Sequence, residues 1–344
     1  MLEKHDYDFD SVRAFLVTSM VFLHAFEQFY IKTFNGNFTS CVLIGFVLLS
    51  GFVVGVKHTD YMNHRPSFYF AKYFKGSFKL FVLFFLCNLS IMVLLPERFG
   101  KLLLLSPDQI LRDILLGQRH DIFGFEVLIP IAYTMIITCV LLALVRDKWV
   151  FPLAMCVFVL LGFMEKVNMG IMDSYNIKLL LVGFIGGCVG KIVNPQDWDN
   201  LMEKFYKGNA LTILSVLVLL YYLYLILFTD EGAGAYITFF VPVLPTMTIL
   251  LLIYMTSKKI KINCLRPVRL ITLPLSKNML FAYLFHILLI NSMFLVVNKH
   301  SQSALSCVFI GIFVLIVTVL MCWGIEYSAK RLIFFDKIYS TLFR

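Results

Sequence analysis

Charge is scarce in this sequence. Asp, Glu, Lys and Arg make up 15% of its 344 residues, where soluble domains carry about 25%, and that shortage excludes an ordinary water-facing surface. Also missing are a long polar insertion, a low-complexity linker and an internal repeat, so neither a soluble module nor a repeat architecture is expected. The eight cysteines include no CxxC pair, and seven of them (Cys41, Cys87, Cys139, Cys156, Cys188, Cys307 and Cys322) fall within apolar runs. Neither a disulfide framework nor a zinc site is expected, and no metal cofactor. A cleavable secretory signal is not expected, because the first apolar run is long, follows the acidic stretch DYDFD and lacks a small-residue cleavage site.

What is abundant is apolar surface. Hydrophobic residues reach 60% and the mean hydropathy is +0.85. A membrane span needs about 20 predominantly apolar residues, and such runs recur along the whole chain. The reading is an all-α integral membrane protein, one domain over residues 1–344, with about ten transmembrane helices. The expected spans are 12–31, 39–56, 77–96, 122–145, 149–164, 178–194, 209–228, 235–256, 271–297 and 303–326.

Basic residues set the orientation, since short cytoplasmic loops carry excess Lys and Arg. Lys57, Arg65, Lys72, Lys75 and Lys79 fall in one loop, Lys258, Lys259, Lys261, Arg266 and Arg269 in another, and Lys330, Arg331, Lys337 and Arg344 in the tail. The segment 229–234 has no basic residue, so the N- and C-termini are both expected to be cytoplasmic. Between two spans, SPDQILRDILL from Ser106 has an N-cap serine, a proline at the first helical position and an acid in the first turn, which predicts a short amphipathic helix at the interface. The net charge of +9 follows from the inside-positive bias and suits anionic lipids as partners rather than nucleic acid. A basic cytoplasmic face would also attract a phosphorylated ligand.

Ionisable groups inside spans carry the functional signal, because burying them in hydrocarbon is expensive. His24 and Glu27 lie one turn apart on the first span and share a face. Arg13 precedes His24 by 11 residues, a rise of about 16 Å, which puts Arg13 at the boundary and His24 near mid-membrane. Glu126 opens the fourth span, and Lys277 and His286 lie in the ninth. Plainer readings stand beside these: His286 as a structural histidine, Glu27 as an interfacial solvated acid, Lys277 snorkelling to the surface, and Glu326 paired with Lys330 four residues on. In LLSGFVVGVKH, Ser50 and Gly51 interrupt an apolar run about 9–11 Å by helical rise from Lys57, which suits either helix packing or a polar route from the basic face.

Three segments in order carry a family resemblance. FDSVRAFLVTSMVFLHA (Phe9 to Ala25) resembles the first helix of the membrane acyltransferase-3 family, with Asp10, Arg13 and His24 at the family's spacing. LLSGFVVG resembles its second helix, and LPLSKNMLFAYLFHILLI (Leu273 to Ile290) its late Ser-and-YLxH helix. Two motifs depart from the pattern. An Arg-xx-Arg pair is replaced by Lys72 and Lys75, which keep the charge and lose the planar fork, and a Trp-containing, Glu-bearing motif is replaced by HDIFGFEVLIPIAY with Glu126. No SGNH esterase-like domain is expected after the last helix.

The resemblance implies transfer of an acyl group, usually acetyl, from cytoplasmic acyl-CoA to a hydroxyl of an envelope glycan or glycolipid at a bacterial inner membrane. Acyl-CoA is then the donor substrate. Arg13, Lys72, Lys75 and the 258–269 cluster are expected to attract its phosphates, and Ser50 and Gly51 to line its route. His24 is expected as general base, histidine being the side chain that titrates nearest working pH. Glu27 or Glu126 would orient it, and His286 would bind or polarise a reactant. The rival class is a transporter or flippase for an envelope lipid or sugar, using the same His and Glu as a proton relay; a purely structural membrane subunit is the other alternative.

Overall fold

The computed structural model describes residues 7–29, 36–94, 104–116, 125, 127–166, 175–192, 240–260, 266–296, 303–332, 337 and 339. Among them are eleven helices and no strand: α1 (Tyr7–Phe29), α2 (Gly36–His64), α3 (Pro66–Leu94), α4 (Pro107–Leu116), α5 (Leu128–Leu144), α6 (Asp147–Lys166), α7 (Tyr175–Ile192), α8 (Phe240–Ile260), α9 (Arg266–Lys277), α10 (Met279–Val296) and α11 (Ala304–Arg331).

Among the described residues, five stretches are long and apolar enough to cross a bilayer: Phe9–Phe29, Pro66–Val93, Asp147–Met164, Tyr175–Ile192 and Leu305–Ala329. They correspond to the first, third, fifth, sixth and tenth expected spans. At the second and fourth expected spans stand shorter apolar helices, Val42–His58 and Leu128–Leu144, which fall short of spanning length. The expected span 209–228 lies outside the described residues, as does the start of the eighth. The ninth differs in kind. In place of one straight helix over 271–297, α9 and α10 meet at 91°, making six spans if the bent pair counts as one. Pro274 and the polar run Ser276, Lys277, Asn278 end α9, and Asn278 is the turn residue between the two helices.

By contacts within the chain, the molecule divides into two compact units: Met1–Val42 with Thr248–Arg344, and Leu43–Met247.

In the first unit α1 packs against α9, α10 and α11. Its buried Val21, Ala25 and Phe29 close on Ile290, Cys307 and Val314, and the Phe29 and Phe294 rings meet edge to face at 6.1 Å. Gly311 on α11 gives room to the Phe22 ring, whose Cδ1 would lie 2.6 Å from a β-carbon placed there. At the other end of α1, Ser11 Oγ lies 2.7 Å from Ser257 Oγ on α8, and the Phe9 and Tyr254 rings are 4.9 Å apart.

The second unit rests on glycines that let backbones touch. Gly51 and Gly55 of α2 face the backbone of Gly183 and Gly187 of α7, while Gly186 and Gly190 sit under the carbonyls of Leu48 and Phe52. On its other side α7 takes Thr134 and Thr138 of α5 against the same Gly183 and Gly187. Small residues four apart on each helix give this close crossing, the usual source of packing energy where lipid removes the hydrophobic drive. A β-carbon on Gly51 would strike the Gly183 carbonyl, which is backbone and has nowhere to move. Gly51→Ala is therefore expected to cost about 1–3 kcal/mol, read as a lower thermal midpoint of the detergent-purified protein; an unchanged midpoint would refute the crossing.

A half-buried lysine holds the end of α5. Lys191 Nζ donates to Leu142 O at 2.9 Å and Val145 O at 3.0 Å, and lies 3.1 Å from Asp147 Oδ1. These are carbonyls that a helix C-terminus leaves unsatisfied, and the cation complements the negative end of the helix. Lys191→Met keeps the apolar stem and strips both carbonyls of their donor. The expected loss is about 1–3 kcal/mol, measured by the same thermal denaturation.

The predicted amphipathic helix is present as α4. Ser106 N donates to Gln109 Oε1 at 2.9 Å and Gln109 N to Ser106 Oγ at 3.3 Å, a reciprocal capping box. Asp108 and Arg112 pair at 3.0 Å along its exposed face, and Asn176 Nδ2 of α7 donates to Leu115 O at 3.2 Å, tying down its C-terminal end.

Candidate active site

The site is built first from α1. His24 Nδ1 lies 3.0 Å from Glu27 Oε2, one helical turn away. A carboxylate oxygen accepts, so Nδ1 is the donor of this contact, and in the neutral ring Nε2 is then the acceptor nitrogen. That Nε2 atom is itself buried and has no hydrogen-bond partner among the described residues, although the side chain as a whole is 26% exposed.

The second component comes from α10. His286 is fully buried, and its Nδ1 donates to Ala282 O at 2.9 Å. A carbonyl only accepts, so the same tautomer follows, and Nε2 is again a buried lone pair without a partner among the described residues. The two imidazoles are stacked, with centroids 5.5 Å apart and planes inclined by 26°, and the Tyr283 ring meets His286 edge-on at 5.7 Å. The structure thus brings His24, Glu27 and His286 together in one unit.

Arg13 lies on the His24 face of α1, because 11 residues are about three full turns at 3.6 residues per turn. Its Nη1 is 3.7 Å from Oδ1 of the buried Asp10.

The residues expected from sequence to bind the donor on α2 and α3 belong to the other unit, and Glu126 lies beyond description. Ser50 Oγ donates to Phe46 O at 2.8 Å within its own helix, and Gly51 lies at the α2–α7 crossing. Lys72 and Lys75 are exposed on α3; Lys72 Nζ donates to Tyr61 OH at 3.2 Å and sits 5.0 Å from that ring's centroid. Beside them His58 Nδ1 lies 3.3 Å from the hydroxyl of buried Tyr69, which donates to Val54 O. Glu126 lies outside the described residues. The residue before it, buried Phe125, has φ 58°, a left-handed backbone that a bulky side chain rarely adopts.

Sequence reasoning missed one cluster. Asn278, wholly buried at the α9–α10 turn, donates from Nδ2 to Pro274 O at 2.9 Å and to Glu326 Oε1 at 3.0 Å, and accepts on Oδ1 from Tyr339 OH. Glu326 Oε1 thus accepts from Asn278, while the side chain of Lys330, its expected helix partner, lies outside the described residues. An asparagine inside an apolar run was the available signal; for Tyr339 there was none. Among the described residues no group of three or more His, Cys, Asp or Glu is placed to hold a metal ion.

Apolar helices of spanning length, and among them an imidazole that contacts a carboxylate and stacks on a buried second imidazole, define the class: an integral membrane protein with a paired histidine site among its helices. The chain belongs to the acyltransferase-3 family, whose family model, described as an acyltransferase domain, matches residues 6–327. All three motifs quoted from the sequence fall within the match. No curated protein and no solved structure matches the chain.

Proposed function

We propose that this chain is a membrane O-acyltransferase of a bacterial inner membrane, with about ten spans and both termini cytoplasmic, that moves an acetyl group from cytoplasmic acetyl-CoA to a hydroxyl of an envelope glycan or glycolipid. The observation that supports the reading most is the His24–Glu27 pair, in which Nδ1 faces the carboxylate and Nε2 is buried without a partner among the described residues, in a chain of this family.

In the chemical step, His24 Nε2 takes the proton of the acceptor hydroxyl as its oxygen bonds to the thioester carbon. The tetrahedral adduct collapses, the C–S bond breaks, and the CoA thiolate receives the proton from the His24 imidazolium. Ester and CoA thiol leave, and His24 is neutral again. Glu27 fixes the tautomer and stabilises the imidazolium, the part a carboxylate plays beside a catalytic histidine. His286, whose Nδ1 is committed to Ala282, offers only an acceptor at Nε2. That suits it to bind the acceptor's hydroxyl and not to polarise a carbonyl. Arg13, on the His24 face of α1, supplies positive charge for the donor's phosphates.

The test is mass spectrometry of envelope polysaccharides and lipids from cells with and without the gene. A 42-Da acetyl increment, about one per modified hydroxyl by the stoichiometry of a single general-base transfer, is expected to disappear with the gene. Identical acyl content in the two strains would overturn the reading, and movement of an unmodified lipid or sugar across the membrane with no CoA release would replace it by transport.

A further inference from the structure

Hydrogen bonds, linked through the backbone of α10, connect the cluster at the α9–α10 turn to the buried imidazole. Tyr339 OH donates to the Asn278 side chain. The Asn278 carbonyl accepts from Ala282 N at 2.8 Å, and the Ala282 carbonyl accepts from His286 Nδ1 at 2.9 Å. Asn278, Ala282 and His286 thus follow one another at intervals of four residues up the first turns of α10.

The turn has more than one fastening. Asn278 N donates to Pro274 O at 3.1 Å and its Nδ2 donates to the same carbonyl, while Ser276 Oγ donates to Leu273 O at 3.2 Å. A helix broken among apolar neighbours needs its freed backbone groups satisfied in this way. Two groups from outside the turn then hold Asn278 itself: Glu326 from α11, and Tyr339, whose ring also packs edge-on against Phe281 at 6.3 Å. Trp323 Nε1 of α11 donates to Leu270 O of α9 at 3.2 Å, fixing the other arm of the bend.

We propose that Asn278, held by Glu326 and Tyr339, is a positioning residue that sets the bend between α9 and α10 and through it the place of His286 beside His24. Glu326 serves as a hydrogen-bond acceptor in this arrangement, and neither its charge nor its proton is used. The relevance to turnover rests on the acyltransferase reading; the geometry does not.

The experiment has two arms on full-length protein in lipid nanodiscs. In the first, deuterium exchange at the imidazole C2 position, read residue by residue by mass spectrometry, reports solvent access to each histidine. Asn278→Ala and Glu326→Ala are expected to speed exchange at His286 about threefold or more, as local opening does, while His58, buried in the other unit, stays at its wild-type rate. Glu326→Gln retains a carbonyl oxygen for Asn278 and is expected to leave His286 unchanged. In the second arm, acceptor-dependent release of CoA thiol is followed. Asn278→Ala is expected to lower kcat about 10- to 100-fold with the KM for acetyl-CoA unchanged, the size of effect a slight misplacement produces. Tyr339→Phe is expected to lower it about 2- to 10-fold for one lost hydrogen bond, and Glu326→Gln to restore what Glu326→Ala loses.

Unchanged exchange at His286 in Asn278→Ala, or a Glu326→Gln enzyme as slow as Glu326→Ala, would overturn the proposal. Wild-type protein that releases no CoA thiol would instead bring down the acyltransferase reading, with the exchange arm still deciding the role of Asn278.

Discussion

His24→Ala is expected to lower acyl transfer on the order of 10³-fold, within the range that loss of a general base costs, while the protein reaches the membrane at its normal level. The separation of effects follows from where the side chain sits. The packing of α1 against α10 and α11 comes from Val21, Ala25 and Phe29, whereas the His24 side chain is 26% exposed and its hydrogen bond is to Glu27 in the same helix. Alanine is also the residue a helix tolerates best. What disappears is the Nε2 lone pair and the ring stacked on His286. The comparison is acetyl content of the envelope at matched protein level in isolated membranes; retained acetylation in the His24→Ala strain removes the proposed chemistry.

Glu27→Gln is the second large effect, and it separates orientation from proximity. Glutamine is nearly isosteric with glutamate, so it can remain within reach of His24 Nδ1, 3.0 Å away in the wild type. Its amide offers both an acceptor and a donor. When the NH₂ faces the ring, Nδ1 must accept, the proton moves to Nε2, and the base is lost. When the carbonyl faces it, the tautomer is right but the imidazolium formed during reaction lacks its counter-charge. Both states slow the chemical step, and a fall in kcat on the order of 10²-fold is expected, short of the cost of the same change in a fully buried triad, since Glu27 is 33% exposed. Steady-state kinetics on purified protein check this, with KM for acetyl-CoA unchanged. A Glu27→Gln enzyme with wild-type kcat would mean that His24 needs no carboxylate.

Local features were legible in the sequence because both partners lie within one turn of helix. The His24–Glu27 pair, the Ser106–Gln109 capping box and the small residues in LLSGFVVG could all be read from spacing alone. What the small residues pack against could not: Gly51 reads the same whether its neighbour is a substrate channel or another helix, and the glycines of α7 that meet it lie over a hundred residues away. The bend at Asn278 was hidden for a different reason. Hydropathy measures apolar content and is blind to chain direction, so α9 and α10 merged into one span even though Pro274 and the Ser-Lys-Asn run marked the break. Helical spacing offers Glu326 only partners in its own helix, whereas Asn278 is brought to it by the fold. The pairing of His286 with His24 is of the same tertiary kind, and the resemblance of the two flanking motifs to one family was the one sequence signal that put both rings in the same site.

The most direct test is the release of free CoA thiol from acetyl-CoA by purified protein in nanodiscs, with and without an envelope extract as acceptor, for wild type and His24→Ala side by side. Thiol release that requires both the acceptor and His24 is the result this mechanism predicts. Release by His24→Ala at the wild-type rate, or none from wild type with a competent acceptor present, would contradict it.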